Sequence, residues 1–177
     1  MLIYTPKITN RINYIFQLIF ETVWKIDYEI SDNLEYFTCY DGPKLNYSNS
    51  PLADECHIKC QGILTEKGIS DQEIIFKEWN KLPIFFQIND SFIPFDIFSA
   101  SFYLVSRYEE YLPHIKDHYN RFTAKQSLAY QNNFLHRPLI NLWLKEFKKK
   151  LLIIFPSLNF PKLKFTYQST IDVDNAY

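Results

Sequence analysis

The sequence predicts an α/β or α+β fold in which a mixed sheet is flanked by about three helices. A short apolar segment, a turn and an amphipathic helical pattern follow one another at the N-terminus, as in an α/β unit. Several alternating segments come next, and two longer helical patterns follow residue 96. Apolar residues make up 47% of the 177 residues and aromatic residues 18%. Such a chain can bury a substantial core, which excludes intrinsic disorder.

The first thirty residues predict a strand, a helix and a second strand. Leu2–Thr5 is apolar and ends at a proline, so we expect a strand there. The residues that follow place apolar side chains three and four positions apart, which is typical of one helical face: Ile8, Ile12, Ile15, Phe16, Ile19, Phe20 and Val23. Alternation over residues 26–30 predicts the second strand.

The middle of the chain reads as a series of short strands. The segments predicted as strands are Leu34–Tyr40, Lys44–Tyr47, Cys56–Leu64, Ile74–Trp79 and Leu82–Ile88. A turn at Asp41-Gly42-Pro43 separates the first two, and Asn80-Lys81 separates the last two. Because Ile84–Phe86 is apolar on both faces, we expect a central position for the last strand.

The second half predicts two helices and a final strand. Asp96 precedes a helical pattern that extends to Leu112 and ends at Pro113. Residues 114–134 are polar and predict an irregular loop. Pro138 begins the third helix, which extends to Ile154. Alternating apolar residues over 164–173 then predict a strand.

Charge and patterning disfavour two classes of partner. The net charge of −1 provides no field that would attract nucleic acid. The longest apolar stretch, Ile12–Trp24, is too short and too polar to span a bilayer. We find no signal peptide at the N-terminus, and an odd number of cysteines, three, indicates free thiols. We therefore predict a cytoplasmic protein that binds neither nucleic acid nor membrane.

The sharpest chemical feature is a pair of acids near the C-terminus. Asp172 and Asp174 are two positions apart at the end of the predicted last strand, so they share one face. Two such carboxylates can hold a divalent metal, or act as base and ligand. The alternative is an acidic strand end that is merely solvated.

Two other groups have the residue types of a metal site. His114 and His118 have the i, i+4 spacing of helical ligands, but Pro113 precedes them, which favours two exposed loop histidines. His57 lies between Cys56 and Cys60, yet a structural zinc site needs four ligands and no second cluster accompanies these. We interpret both groups as structural rather than metal-binding.

Three segments together resemble a known kind of protein. They are Ser99–Pro113 with its Arg-Tyr-Glu-Glu-Tyr run, Asp117–Phe122, and Ser169–Tyr177 with its Thr-Ile-Asp-Val-Asp run. These segments resemble the N-terminal region of uncharacterised polysaccharide deacetylase-like proteins of bacteria, particularly of the Bacteroidetes. In those proteins a domain of unknown function precedes a catalytic (β/α) barrel, and the resemblance covers nearly the whole chain.

The resemblance implies roles for the two terminal acids. Polysaccharide deacetylases begin their catalytic domain with a strand that ends in Thr-Phe-Asp-Asp-Gly or a variant. The first acid is the general base and the second binds the metal, so Asp172 would be the base and Asp174 a ligand of a divalent metal such as zinc. Here Val173 separates the acids, and Asn175 stands where glycine is usual. The His-x-x-x-His motif of the family follows the acids, whereas His114 and His118 precede them.

The leading hypothesis is a domain over residues 1–163 that is not catalytic, with residues 164–177 as the first strand of a deacetylase-like catalytic domain. The first domain would position that catalytic domain, its partner in cis, or recruit for it. The whole protein would be a hydrolase of carbohydrate metabolism. By this hypothesis the chain alone is inactive and holds no cofactor. Two alternatives stay open. The aromatic residues could line a carbohydrate- or protein-binding groove, or Asp172 and Asp174 could join His114, His118 or His136 in a stand-alone metal-dependent hydrolase.

Overall fold

The structure, a computed structural model, describes residues 1–53, 55–162 and 164–172. Its centre is a parallel four-stranded sheet with the order β2-β1-β3-β4. The strands are β1 (Leu2–Tyr4), β2 (Glu29–Ser31), β3 (Lys44–Ser48) and β4 (Cys56–Lys59). A separate antiparallel hairpin pairs β5 (Lys77–Trp79) with β6 (Leu82–Ile84). The predicted α/β class is confirmed, with parallel and antiparallel pairing in two separate sheets.

The first helix packs on one face of the parallel sheet. Helix α1 (Asn10–Phe16) begins at Thr9, whose side chain accepts a hydrogen bond from the Ile12 backbone N–H. It continues as a π-helical segment over Gln17–Val23. The predicted apolar face is confirmed, since five of its members are fully buried in the main core: Ile12, Ile15, Phe16, Ile19 and Phe20.

The prediction of a strand over Leu34–Tyr40 is wrong, because this segment contains helix α2 (Leu34–Cys39). The Asn33 side chain accepts a hydrogen bond from the Tyr36 backbone N–H and caps the helix, which overrides the aromatic β-preference of the segment. Phe37 packs with Leu2 and Tyr4 in a small second cluster. Both faces of β1 are therefore covered.

The prediction of a central strand around Ile84–Phe86 is also wrong, because β6 ends at Ile84 within the two-stranded hairpin. The backbone at Phe86 is left-handed, with φ of 58°, so the strand cannot continue there. The apolar side chains of this segment pack against helices instead of lying in a central strand. The rings of Phe85 and Phe86 both pack near Tyr103, and Phe85 also packs near Trp143.

The predicted helix from Asp96 to Leu112 breaks before its end. Helix α3 (Ile97–Val105) stops before Arg107, whose φ of 54° and ψ of 42° are left-handed, and a 3-10 turn over Tyr108–Tyr111 follows. The polar loop contains a second 3-10 turn (Ala124–Gln126) and the short helix α4 (Leu128–Gln131). Helix α5 (Leu139–Ile154) confirms the predicted third helix.

The segment predicted as the last strand is not in a strand over residues 164–172. A β-strand requires a neighbouring strand to which it is hydrogen-bonded, and none of the described strands pairs with residues 164–172. Its apolar side chains are among the most exposed of the described residues, with Phe165, Tyr167 and Ile171 at 92%, 82% and 86%. No helix in the described ranges has the length and apolar character needed to cross a membrane.

Candidate functional site

The two acids predicted to carry chemistry lie in and beyond this exposed segment. Asp172 is exposed and belongs to no helix or strand. Asp174 lies outside the described residues. The assignment of Asp172 as base and Asp174 as metal ligand therefore stays a prediction.

The other groups with metal-ligand character are separate structural features. His118 is exposed, and the Nδ1–H of half-buried His114 donates to the Leu112 carbonyl oxygen over 2.8 Å. Within the described ranges, no group of three or more His, Cys, Asp or Glu side chains is arranged to hold a metal ion. Neither histidine lies in a helix, and His118 belongs to a turn in which the Asp117 side chain accepts hydrogen bonds from the Tyr119 and Arg121 backbone N–H groups.

The sulfur and imidazole groups of β4 are buried in the domain. Cys56 is buried against the main core, and burial raises the pKa of its thiol. Burial and then the nearby Asp96 carboxylate raise the pKa of Cys60. His57 lies on the opposite face of β4, where its Nε2 lies 2.9 Å from the Ser48 carbonyl oxygen. All three cysteines are free, as predicted, and Cys56 and Cys60 are protonated at neutral pH.

A fully buried carboxylate, Asp96, fixes the start of α3. One oxygen accepts from the Phe98 and Ser99 backbone N–H groups over 3.1 and 3.0 Å. The other accepts from the Tyr47 hydroxyl, the Gln61 backbone N–H and the Ser99 hydroxyl over 2.9, 2.8 and 2.6 Å. Burial raises the pKa of Asp96 despite these hydrogen bonds. The five donors hold β3, the segment after β4 and α3 together.

The Arg-Tyr-Glu-Glu-Tyr segment, residues 107–111, borders the largest of the described cavities. We call this cavity the Glu109 cavity; its volume is about 690 Å³. The 3-10 turn begins directly after left-handed Arg107, and this bend turns Glu109 towards residues 124–131. There the Glu109 Oε2 accepts a hydrogen bond from the Leu128 backbone N–H over 2.8 Å. The Glu109 cavity is lined by Ile69, Asp71, Tyr103, Glu109, Tyr111, Leu112, Pro113, His114, Ile115, Phe122, Gln126, Leu128 and Gln131.

The polar groups of the Glu109 cavity influence one another. Burial, then the Glu109 and Asp71 carboxylates, raise the pKa of the Tyr103 phenol. The pKa of Glu109 is itself raised by burial, against the Leu128 hydrogen bond and the positive charge of Arg107. Tyr103, Glu109 and Asp71 all line this cavity. A perturbed carboxyl and phenol in one cavity are typical of a binding or catalytic site.

A second cavity of about 310 Å³ shares Glu109 with the first. Arg107 and Arg137 line it, together with apolar residues such as Phe134 and Leu139. The Arg107 guanidinium forms an ion pair with Glu110. Glu109 therefore separates an acidic cavity from a cavity that contains two arginines.

The sequence did not predict that the residues lining the Glu109 cavity lie together. Asp71, Tyr103, Glu109 and His114 come from separate parts of the chain, and Tyr103 was indistinguishable from other core aromatics. The usable signal was the run of residues 107–111, which places two acids and two tyrosines beside an apolar helix.

Comparison with protein families matches residues 1–156 to a family of unknown function, DUF7033. The matched part extends from β1 to just beyond α5, and the exposed segment lies outside it. Comparisons with curated proteins and with solved structures gave no match.

Proposed function

Since the chain belongs to the family of unknown function DUF7033, we propose that residues 1–163 form a non-catalytic accessory domain that positions a metal-dependent, deacetylase-like catalytic domain. Residues 164–177 belong to that catalytic domain and provide its first strand. The resemblance of the Thr-Ile-Asp-Val-Asp run to the deacetylase motif supports this reading.

One observation carries the proposal: residues 164–172 have the pattern of a strand but are all exposed. Phe165, Tyr167 and Ile171 occupy alternate positions, so in a strand they would form one apolar face. Burial of such side chains contributes about 1.5–3 kcal/mol each. A chain that leaves three of them exposed in succession gains stability when a second sheet accepts the segment.

The same alternation places the predicted base and the apolar side chains on opposite faces of the strand. Asp172 lies at an even position, with Thr166 and Thr170, and therefore on the face opposite the apolar side chains. If the apolar face of the strand packs against helices, the polar face lies on the opposite side of the sheet. A general base on that side can reach a bound substrate. The proposal assigns the further ligands of a divalent metal to the catalytic domain, because such a site needs at least three protein ligands.

The accessory domain controls where the strand begins. Phe160 packs edge-on against Trp24, with ring centroids 5.4 Å apart, and the Lys148 ammonium lies 4.1 Å from the centre of the same ring. Trp24 also contacts Phe147 of α5. These contacts fix the chain four residues before Lys164 on the body of the domain, which is what a positioning role requires.

The gene provides a first test. The codons after Tyr177 should continue in frame, with strands and a His-x-x-x-His pair that could complete a metal site. A stop codon directly after Tyr177 would contradict the proposal.

The second test is enzymatic. The product of the whole reading frame, loaded with zinc or cobalt, should release acetate from an acetylated sugar oligomer, and Asp172→Asn should lower that rate by more than about 100-fold. Asp27→Asn, a change at an exposed aspartate of the first domain, is the matched control and should leave the rate unchanged. Residues 1–177 alone should release no acetate above buffer, so turnover by them would refute the accessory role.

A further inference from the structure

The Glu109 cavity has the size of a small-ligand site. Its volume of about 690 Å³ lies within the range of sites that hold a disaccharide or a cofactor. Four separate segments line it: residues 69–71, the end of α3, residues 109–115 and residues 122–131. The cavity is open to solvent and is built from several segments rather than from one loop.

The charges that line this cavity have one sign. Asp71 and Glu109 contribute carboxylates, and neither Lys nor Arg is among its described lining residues. Arg107, the nearest arginine to Glu109 in sequence, is directed to its ion pair with Glu110 and lines the smaller cavity. The Glu109 cavity therefore favours a cationic ligand over a neutral or anionic one.

One mostly buried side chain, that of Tyr103, turns its hydroxyl into the cavity. The Tyr103 side chain is 97% buried, taken from its exposed fraction of 3%, and its hydroxyl forms no hydrogen bond with the described residues. Asp71 and Glu109 line the same cavity as Tyr103. Unlike the unpaired buried hydroxyl oxygens of Ser101 and Ser106, the Tyr103 hydroxyl is open to the cavity, so it can pair with a ligand there.

The remaining walls suit a ring that carries hydroxyl groups. His114 uses Nδ1–H for the Leu112 carbonyl, which leaves Nε2 as an acceptor. Phe122 packs edge-on against His114 at 5.1 Å, and the Tyr111 ring is 67% exposed. Aromatic faces of this kind pack against the C–H faces of a ligand ring.

We infer that the Glu109 cavity binds an amino sugar, with the ammonium group between Asp71 and Glu109 and a neighbouring hydroxyl on Tyr103. The cationic class follows from the lining charges. The choice of a sugar among amines rests on the proposed function, because hydrolysis of the N-acetyl groups of a polysaccharide releases acetate and leaves amino sugars. The accessory domain would then hold the product end of the polymer.

Calorimetric titration of the whole chain with three probes tests the inference. They are the glucosamine dimer, the same dimer with both amines acetylated, and 1,4-diaminobutane, at neutral pH, because Glu109, whose pKa is raised, has to stay ionised. The glucosamine dimer should bind at least about tenfold more tightly than the acetylated dimer, since a charge-assisted hydrogen bond is lost on acetylation. It should also bind more tightly than diaminobutane, which lacks hydroxyl groups and a ring.

Two variants localise the binding. Glu109→Gln keeps an acceptor for the Leu128 N–H but removes the charge, and should weaken the glucosamine dimer about tenfold or more. Tyr103→Phe keeps the ring and should weaken it severalfold without lowering the melting temperature, which a purely structural role would lower. Glu78→Gln, at an exposed position of β5, is the matched control. If Glu109→Gln does not fold, Asp71→Asn, at an exposed position, tests the contribution of the cavity's carboxylate charge instead.

Three outcomes would overturn the inference: no binding of the glucosamine dimer, equal binding of either other probe, or affinities of the folded variants within twofold of the native protein. None of these bears on the reading frame after Tyr177 or on acetate release. The proposed function therefore stands or falls separately.

Discussion

Removal of the Asp96 carboxylate should destabilise the domain strongly, because this buried group joins three segments of the chain. Asp96→Ala deletes the acceptor of five hydrogen bonds in a fully buried place. Asp96→Asn keeps one oxygen, which can still accept from the Phe98 and Ser99 N–H groups. Its amide nitrogen, however, faces the Gln61 N–H, a donor that cannot rotate to become an acceptor.

The two losses can be ranked. In Asp96→Asn the Tyr47 and Ser99 hydroxyls can reverse and accept from the new amide, so the main cost is one unpaired backbone N–H, about 1–3 kcal/mol. In Asp96→Ala the helix cap is lost as well, at about 0.5–2 kcal/mol, and the buried donors on the other oxygen are unpaired. We expect a loss of about 2 kcal/mol for Asn and about 4 kcal/mol for Ala.

Urea denaturation, followed by the fluorescence of Trp24, Trp79 and Trp143, measures these differences. Asp32→Asn, at an exposed aspartate, is the control and should change the free energy of unfolding by less than about 0.5 kcal/mol. If Asp96→Asn were as stable as the control, the hydrogen bonds of Asp96 would not hold α3 in place. If Asn and Ala were equally destabilising, the role of the retained oxygen as a cap would be refuted.

Three further changes test other parts of the structure. Lys81→Gly should raise stability by up to about 1 kcal/mol, because Asn80 and Lys81 have φ of 51° and 63° in a two-residue turn that favours Asn-Gly; a lower melting temperature would contradict this. Burial would raise the pKa of Glu55, but hydrogen bonds from Asn46, Leu52 and Ala53 outweigh it and lower that pKa below 4.5. Its stabilisation is therefore present above pH 4.5 and lost as the pH falls through the lowered pKa, so the stability gap between the native protein and Glu55→Gln should close on acidification; a gap that widened would refute the sign. Ending the chain after residue 163 should leave the melting temperature unchanged, because residues 164–172 are all exposed; a fall of several degrees would show that the segment packs on the domain.

Local patterns predicted the elements whose own residues determine them. β1, α1, β3 and α5 follow from apolar spacing, and the Pro138 boundary from a helix-start signal. Prediction from these patterns failed where a single side chain or a single backbone angle determines the secondary structure. Asn33 caps α2 in a segment of β-formers, and left-handed Arg107 ends a helical face that continues in the sequence.

The candidate site needed the tertiary structure. Asp71 and Tyr103 are 32 positions apart, and no periodicity relates them to Glu109 or His114. The opening of the Tyr103 side chain into the cavity follows from packing alone. The exposed segment is the reverse case, since its strand pattern is plain in the sequence but no described strand pairs with it.

Hydrogen exchange of the amides of residues 165–172 tests the central claim most directly. In the chain of 177 residues these amides should exchange at the rate of an unprotected peptide, because the segment is in no sheet. In the product of the whole reading frame they should be protected by a large factor, as expected for a strand inside a second sheet. Equal, rapid exchange in both proteins would contradict the proposal that this segment begins a catalytic domain.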